Sequence, residues 1–346
     1  MVVGLCYDLE STYDINKNVT YKDFSFLSEV EYVEKNLRIL GHKVILINGI
    51  EVFVRDIFKY KEECDIIFNM AEGYKSRNRE GLLPAICESF NIPYTGTDSF
   101  GLSLSLNKYH MNQIIKSLNI KVPKSYLINY PLENIKVIIS NHTIGYPCII
   151  KPNHEGSSMG VYLVNTKDEL IDKILLLSQQ YEEQLIVEEY IHGPELSTGI
   201  LGTAKEARIY YCLQYVYENG ENIDFYDYNC KYNTEHEFIY PRIDKALLKK
   251  ICDSSLLIHR IMHFQDISRI DWKVSEKGAY LIETTPLPSF EKDSEFDIGS
   301  QLLNCSFDMV VNEILESALC RWRRKNNDTF QKIFTYFAYW WDSFIK

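Results

Sequence analysis

Strand and helix patterns alternate over the first hundred residues, and this alternation constrains the fold more than any other feature of the chain. A buried strand is predicted at Val2–Tyr7 and a helix at Phe26–Leu40, which Gly41 is placed to end. Further strands are predicted at Lys43–Ile47 and Cys64–Asn69. Such alternation implies a parallel, doubly wound sheet. The first strand–helix turn lacks the Gly-x-Gly-x-x-Gly pattern, so no dinucleotide site is expected there.

Beyond residue 104 the pattern changes to shorter strands separated by loops. Helices are predicted at 108–118, 167–179, 244–263 and 308–320. Strands are predicted at 147–152, 161–164, 185–189, 196–202 and 208–216, and a hairpin at 267–274 and 279–284. The chain is therefore predicted to be an α/β protein, with a parallel N-terminal sheet followed by α+β units.

Charge and cysteine content exclude several classes of protein. The chain has 346 residues, with 37 Lys and Arg against 48 Asp and Glu, for a formal net charge of −11. So acidic a chain is a poor candidate for a general nucleic-acid binder, because phosphate contacts need clustered basic side chains. The nine cysteines are scattered without a Cys-x-x-Cys pair, which argues against a disulfide framework or structural zinc. We see no signal peptide and no apolar stretch of membrane-spanning length, and we expect a cytoplasmic location.

The predicted hairpin near residue 270 carries the most informative set of polar residues. Arg269 and Asp271 are two residues apart on its first strand and share a face, as do Glu283 and Thr285 on the second. Hard oxygen ligands of this kind suit Mg²⁺, which also binds substrate phosphates. The alternative is a solvated sheet face with a surface ion pair to Arg269.

The register of the hairpin decides whether its carboxylates meet. If Val274 lies opposite Tyr280, then Asp271 lies opposite Glu283. Two carboxylates in that arrangement repel each other unless a cation lies between them. The register therefore predicts a cation site.

Three further segments have residue types that could bind a nucleotide. Lys151 ends a predicted strand before the loop Glu155-Gly-Ser-Ser-Met-Gly160, whose backbone N–H groups could approach phosphates. The strand Val187–Ile191, followed by Gly193-Pro-Glu195, could bind adenine and ribose. Phe225–Tyr232 could form a lid that excludes water. The alternatives are a plain turn, a charged edge strand and a strand with one aromatic face.

Taken in order, these segments resemble the D-alanine–D-alanine ligase family of the ATP-grasp superfamily, over roughly residues 60 to 318. The resemblance rests on Ile92-Pro-Tyr-Thr-Gly96, Leu106-Asn-Lys108, Ile150-Lys-Pro152, Glu155-Gly-Ser-Ser-Met-Gly160, Gly193-Pro-Glu195, Phe225-Tyr-Asp-Tyr228 with Lys231-Tyr232, and Arg269-Ile-Asp271 with Glu283. It implies an ATP-grasp fold, in which two α+β subdomains grip ATP. The expected units are an N-terminal domain at 1–104, a central subdomain at 105–195, a C-terminal subdomain at 196–320 and a tail at 321–346.

The resemblance also implies the reaction and the roles of individual residues. ATP would phosphorylate a carboxylate, and an amine would attack the acyl phosphate to give an amide. ATP and Mg²⁺, with Mn²⁺ as an alternative ion, are the expected cofactors. The implied roles are Lys108 and Lys151 on the phosphates; Glu188, Glu189, Tyr190 and Ile191 around adenine; Glu195 on the ribose; Asp271, Glu283 and Thr285 on the metal; and Arg269, Ser157, Lys231 and Tyr232 in catalysis, with Arg269 on the oxyanion.

Departures from the family pattern lie mostly outside the ATP half. The N-terminal Glu-x-x-Val-Ser signature is replaced by Phe24-Ser-Phe-Leu-Ser-Glu29, and the His-Gly-x-x-Gly-Glu-Asp-Gly segment by the stretch 69–81. Thr285 stands where the family has Asn, and Ser289 where it has Gly. We therefore predict a carboxylate–amine ligase with a different substrate pair, in secondary metabolism. The alternatives are D-alanine–D-alanine ligase itself with Glu29 in a substituted role, a ligase that acylates a carrier protein, and a catalytically degenerate ATP-binding module.

The C-terminal tail is the other unusual segment. A basic cluster at Arg321–Lys325 precedes an aromatic stretch at Phe330–Lys346 whose spacing fits an amphipathic helix. Such a helix could pack on its own domain or on a second copy in a homodimer. It could instead dock a carrier protein or a membrane surface.

Overall fold

The N-terminal part of the molecule is built on a small parallel sheet. The computed structural model describes residues 1–13, 24–132, 134–223, 225 and 236–325. Strands β1 (Val2–Tyr7), β2 (Lys43–Asn48) and β3 (Ile66–Met70) lie parallel in the order β2-β1-β3. β1 and β3 are almost wholly buried, as expected for a sheet covered on both faces. The predicted parallel N-terminal sheet is confirmed.

Six helices accompany this sheet and lead into the next one. They are α1 (Leu27–Ile39), α2 (Ile50–Arg55), α3 (Ile57–Glu63), α4 (Leu82–Phe90), α5 (Ser99–Leu106) and α6 (Lys108–Ser117). Gly41 follows the end of α1 and has a φ of +81°, a left-handed conformation that glycine adopts without strain. The sequence did not predict α2, α3 or α5. In α5, serine and leucine alternate with the period of a strand, but the side chain of Asp98 caps the Gly101 N–H and starts a helix.

The central sheet is antiparallel and four-stranded. Its strands β4 (Ser125–Ile128), β5 (Cys148–Pro152), β6 (Tyr162–Val164) and β7 (Leu185–Glu189) lie in the order β4-β7-β5-β6. Helices α7 (Ile135–Ser140) and α8 (Lys167–Tyr181) pack with it around a shared apolar core. Lys151 of β5 and Glu188 of β7 alternate with these core residues and are consequently directed to the other side of the sheet.

The C-terminal sheet is antiparallel and five-stranded. Its order is β10-β9-β8-β11-β12. The strands are β8 (Glu195–Leu201), β9 (Arg208–Tyr217), β10 (His236–Ile239), β11 (Ile267–Ser275) and β12 (Gly278–Thr285). Helix α9 (Lys245–Ile261) covers one face, where Trp272 Nε1 donates to Ser255 Oγ at 3.0 Å. The opposite face is left for the polar residues of the hairpin β11–β12.

The hairpin confirms the predicted pairing of Asp271 with Glu283, but by a different register. Val274 pairs with Ala279 rather than with Tyr280, so the expected register near the turn is wrong. A β-bulge beside Asp271 then shifts the pairing by one residue and restores Asp271 opposite Glu283. Bulges re-aim side chains next to functional sites, and this one brings the two carboxylates together.

The last two helices connect the C-terminal sheet to the N-terminal part. They are α10 (Glu295–Leu302), which the sequence did not predict, and α11 (Phe307–Lys325). Helix α11 packs against α1 and continues past residue 320 without a break. Trp322 is buried beside Tyr94, and Arg321 lies 2.8 Å from the Asp266 carboxylate. Arg321 and Trp322, the first two residues of the predicted basic cluster, thus stabilise the contact of α11 with Asp266 and Tyr94.

Two expectations concern cysteines and membranes. Eight cysteines within the described ranges are free thiols. In the part of the chain that the structure describes, no helix combines the length and apolar character needed to cross a bilayer. The aromatic stretch of the tail lies outside the described residues.

Candidate functional site

A cleft lies where the central sheet faces the C-terminal sheet. The strands β5 and β7 line one side, and β8, β11 and β12 line the other. Residues from all of these strands converge on one concave surface, as binding sites require. The predicted site residues that line it are Lys108, Lys151, Glu188, Glu189, Tyr190, Ile191, Glu195, Asp271 and Glu283.

Lys108 and Glu283 form an ion pair across the cleft. The side chain of Asn107 caps α6 and places Lys108 as its first residue. From there, Lys108 Nζ lies 2.9 Å from the Glu283 carboxylate. Burial raises the pKa of Glu283, but Lys108 and Lys151 outweigh burial and lower it to about 2. The Glu283 carboxylate is therefore ionised and facing two cations.

Lys151 forms a second pair with Glu188, entirely within the central sheet. Their charged atoms are 2.7 Å apart, and both side chains are buried. Burial lowers the pKa of Lys151, but Glu188 and Glu283 outweigh it, so the net shift is upward and the ammonium keeps its charge. Asn112 Nδ2 also donates to the Glu188 carboxylate at 2.9 Å. In this structure the Glu188 side chain thus holds Lys151.

Arg269 and Asp271 form a third pair on β11. Arg269 Nε and Nη2 lie 3.1 and 3.0 Å from the Asp271 carboxylate, and Nη1 lies 3.3 Å from Glu295. The side chains of Arg269 and Asp271 are only 14% and 8% exposed, so the alternative of a solvated sheet face is wrong, although the ion pair exists. Burial raises the pKa of Asp271 to about 7 in spite of Arg269.

The donor set at the hairpin fits a divalent cation shared with a phosphate. Asp271 and Glu283 are cross-strand neighbours and both line the cleft. Within the described ranges no three His, Cys, Asp or Glu side chains form a closed metal cage. Mg²⁺ is commonly held by one or two carboxylates together with substrate phosphates, so two donors are sufficient. Thr285 pairs with Arg269 in the hairpin but is not among the residues that line the cleft.

The remaining predicted catalytic residues are Ser157, Lys231 and Tyr232. Ser157 has a φ of +48° and lies in a turn whose neighbours, Gly156 and Ser158, line the cleft. Lys231 and Tyr232, which the sequence assigns to a lid, lie outside the described residues. The roles of all these residues stay predictions.

Sequence reasoning missed two charged residues of the site. Lys273 is buried in the cleft, with Nζ 3.2 Å from the Glu195 carboxylate. Strand alternation could have identified it, because it lies two residues after Asp271 on the same face. Glu295 gave no such signal, since it reaches Arg269 from the first turn of α10.

A separate polar cluster lies at the carboxyl edge of the N-terminal sheet. Glu29 is buried in the first turn of α1 and accepts hydrogen bonds from Ser289 Oγ at 2.9 Å and from Phe290 N at 2.6 Å. Asp8, directly after β1, accepts from Gly73 N at 2.9 Å and from the Tyr13 hydroxyl. Both carboxylates therefore bind backbone N–H groups of neighbouring loops.

Comparison with known sequences gives one consistent result. The family described as D-ala D-ala ligase C-terminus matches residues 129–316. The D-alanine–D-alanine ligase of Fervidobacterium nodosum is 30% identical over 304 residues, which cover 84% of this chain and 92% of the relative. The same enzyme of Xylella fastidiosa is 27% identical over 302 residues, which cover 86% and 95%.

Solved structures show the same fold. D-alanine–D-alanine ligase from Bacillus anthracis, complexed with ATP, gives a TM-score of 0.72 at 19% identity and covers 94% of this chain and 99% of its own. VanG D-Ala:D-Ser ligase from Enterococcus faecalis gives 0.71 at 21% identity and covers 92% and 99%. The predicted ATP-grasp fold is confirmed.

Proposed function

Because the chain belongs to the D-alanine–D-alanine ligase family, and is thus an ATP-grasp ligase that forms a carbon–nitrogen bond, we propose that it activates a carboxylate as an acyl phosphate. An amine then attacks this intermediate to give an amide. We further propose that the substrate pair differs from two D-alanine molecules. The activation step and the choice of substrates are supported by different parts of the molecule.

The observation that carries the activation step is the meeting of cations and carboxylates in one cleft. Lys108 lies against Glu283, and Lys151 lies against Glu188, all four lining the same surface. Phosphoryl transfer depends on positioning and charge neutralisation, so lysines and metal-binding carboxylates are what it needs. ATP would supply phosphates for the lysines, and a bound cation would replace the lysine beside Glu283. In this exchange each lysine keeps an anionic partner, and Glu283 keeps a cationic one.

The chain's own residues divide the chemistry between them. Lys108 and Lys151 would bind the phosphates, while Glu189, Tyr190, Ile191 and Glu195 would surround the nucleoside. Asp271 and Glu283 would hold Mg²⁺, which when bound spreads the charge of the transferred phosphoryl group. Arg269 would stabilise the oxyanion that develops when the amine attacks, since its buried guanidinium is preorganised. Ser157 would lie near the acceptor.

The altered substrate pair is supported by the carboxyl edge of the N-terminal sheet. The Glu29 carboxylate already binds the Ser289 hydroxyl and the Phe290 N–H. A substrate ammonium would have to displace or share these bonds. The stretch 69–81 likewise departs from the family pattern. We therefore place the substrate difference in this region.

A second candidate is D-alanine–D-alanine ligase. It is favoured by the names of the relatives, which include enzymes 30% and 27% identical over most of this chain. It requires Glu29, or another buried carboxylate of the same edge, to bind the first D-alanine. The two candidates share the activation step and differ only in the substrates.

One assay separates them. ADP release is measured with Mg-ATP against D-alanine, other amino acids, and aryl and aliphatic carboxylates, with hydroxylamine present to trap an acyl phosphate. Glu283→Gln is the negative control, because it removes a proposed metal ligand. Glu276→Gln, an exposed residue at the turn of the same hairpin, is the matched positive control.

Each outcome has a definite meaning. A hydroxamate from an acid other than D-alanine supports the proposal and identifies the donor. A strong signal with D-alanine alone, together with D-alanyl-D-alanine as product, favours the second candidate. No hydroxamate from any acid, although ATP binds, would contradict both forms of the proposal for free small-molecule acids.

A further inference from the structure

The guanidinium of Arg269 is shared between two carboxylates from different parts of the fold. Asp271 belongs to the same strand, β11, whereas Glu295 lies in the first turn of α10. Arg269 presents Nε and Nη2 to Asp271 and Nη1 to Glu295. The three side chains are 14%, 8% and 12% exposed, so water screens their charges little.

Glu295 is itself held in place. Its Oε1 accepts a hydrogen bond from the Tyr215 hydroxyl at 2.6 Å, in addition to the contact with Arg269. Tyr215 projects from β9 and is almost fully buried. A carboxylate anchored by a buried phenol is a fixed partner for the guanidinium rather than a mobile surface charge.

We propose that Glu295 is a positioning residue, which holds Arg269 beside the cleft and so releases Asp271 to bind the metal ion. This inference rests on the proposed function, in which Asp271 is a metal ligand. A buried guanidinium that loses its only partner is strongly destabilised. With Asp271 as the sole partner, Arg269 would therefore compete with the metal for that carboxylate. With Glu295 present, Arg269 keeps a partner when Asp271 turns to the metal.

Two variants test this assignment and one serves as the control. Glu295→Gln removes the charge that holds Arg269. Tyr215→Phe removes only the hydroxyl that anchors Glu295, and it keeps the test decisive if Glu295→Gln folds poorly. Asp293→Asn is the matched control, because Asp293 is exposed on the same segment and its φ of +64° suits asparagine.

The first measurement is metal binding without turnover. Mn²⁺ binding to each variant is followed by electron paramagnetic resonance, with a non-hydrolysable ATP analogue present. We expect Glu295→Gln to weaken Mn²⁺ binding about tenfold, because Arg269 then stays on Asp271. Tyr215→Phe should weaken it by a smaller factor, and Asp293→Asn should leave it unchanged. Equal Mn²⁺ affinity in Glu295→Gln and Asp293→Asn would overturn the proposal.

The second measurement separates positioning from general structure. We expect Glu295→Gln to lower kcat about 100-fold while the KM for ATP changes less than about threefold, and Glu295→Asp to recover part of the loss. Parallel changes in kcat and the KM for ATP, without recovery by Asp, would indicate a merely structural role. If wild-type protein gives no hydroxamate, the proposed function fails, but the Mn²⁺ measurement still decides the role of Glu295.

Discussion

The cleft and the carboxyl edge of the N-terminal sheet both bury carboxylates, but they satisfy them in different ways. In the cleft, Glu283 faces the side-chain cation of Lys108, and Glu188 faces that of Lys151. At the N-terminal edge, Glu29 and Asp8 accept hydrogen bonds from the backbone N–H groups of Phe290 and Gly73. The ion pairs of the cleft join side chains to each other, whereas the carboxylates of the N-terminal edge hold loops in place.

This difference indicates which region can exchange its partners for a ligand. A phosphate can replace a carboxylate beside a lysine, and a metal ion can replace a lysine beside a carboxylate, with little net change in buried charge. A backbone N–H that loses its carboxylate is left unsatisfied unless the loop moves. The cleft is therefore arranged for ligand exchange, while the N-terminal edge is arranged to hold the fold.

The largest effect is expected at Glu283. Replacement by Gln removes the charge that would hold a metal ion and leaves Lys108 without its charged partner. Acyl-phosphate formation, measured as hydroxamate yield, should fall by about 10³-fold. The Glu276→Gln variant should retain full activity. If the hydroxamate yield of Glu283→Gln fell less than tenfold, Glu283 would not be a catalytic residue.

Lys151 should show a large effect on nucleotide binding. The Lys151→Met variant leaves Glu188 buried without its cation, so it should lose both stability and about 100-fold in affinity for ATP. The double variant Lys151→Met/Glu188→Met should recover stability, because an apolar pair can replace a buried ion pair. It should not recover ATP affinity, as measured by isothermal titration calorimetry. Recovery of both would show that Lys151 serves only the fold.

Variants of Glu29 test the carboxyl edge of the N-terminal sheet. Glu29→Ala should lower the free energy of unfolding by about 1–3 kcal/mol, because the Phe290 N–H loses its acceptor. The conservative Glu29→Gln should cost less, since it keeps an acceptor oxygen. Urea denaturation measures both. The KM of either substrate should change less than about threefold, and a tenfold rise in both variants would instead place Glu29 on a substrate, as the second candidate requires.

The smallest effect concerns the junction between the two regions. Arg79 donates to the carbonyl of His154 at 2.8 Å, and His154 Nδ1 lies 2.7 Å from the Glu183 carboxylate. Burial raises the pKa of Glu183 to about 8 and lowers that of His154 to about 3. In the folded protein the pair therefore holds one proton from about pH 3 to about pH 8.

The sign of the pH dependence follows from the unfolded chain, where Glu and His have pKa values of about 4.3 and about 6.5. Between about pH 4.3 and about pH 6.5 these two side chains also hold one proton in the unfolded chain. In this range the pair therefore does not make the free energy of unfolding depend on pH. Above about pH 6.5 the folded state binds more protons, and the free energy of unfolding should fall by about 1 kcal/mol up to about pH 8. Glu183→Gln should flatten this decline, whereas exposed Glu182→Gln should not. An unchanged slope in Glu183→Gln would contradict the shared proton.

Local pattern in the sequence was sufficient for much of the fold and for the members of the cleft. Strand–helix alternation predicted the parallel sheet of β1, β2 and β3, because apolar periodicity is encoded within a short window. The resemblance of the ordered motifs to the ligase family implied that Lys108, Lys151, Asp271 and Glu283 belong to one site, and all four line the cleft. Short helices such as α5 were missed, because a single capping carboxylate overrides an alternating pattern.

Tertiary structure decided which charges meet. A β-bulge that no local sequence pattern predicts brings Asp271 opposite Glu283. Glu295 joins Arg269 only because α10 folds back over the sheet, and Glu29 is satisfied only because the loop at Phe290 reaches α1. The sequence thus determined the kinds of residue and the elements that carry them. Contacts between distant segments depend on how those elements pack, and no window of neighbouring residues contains that information.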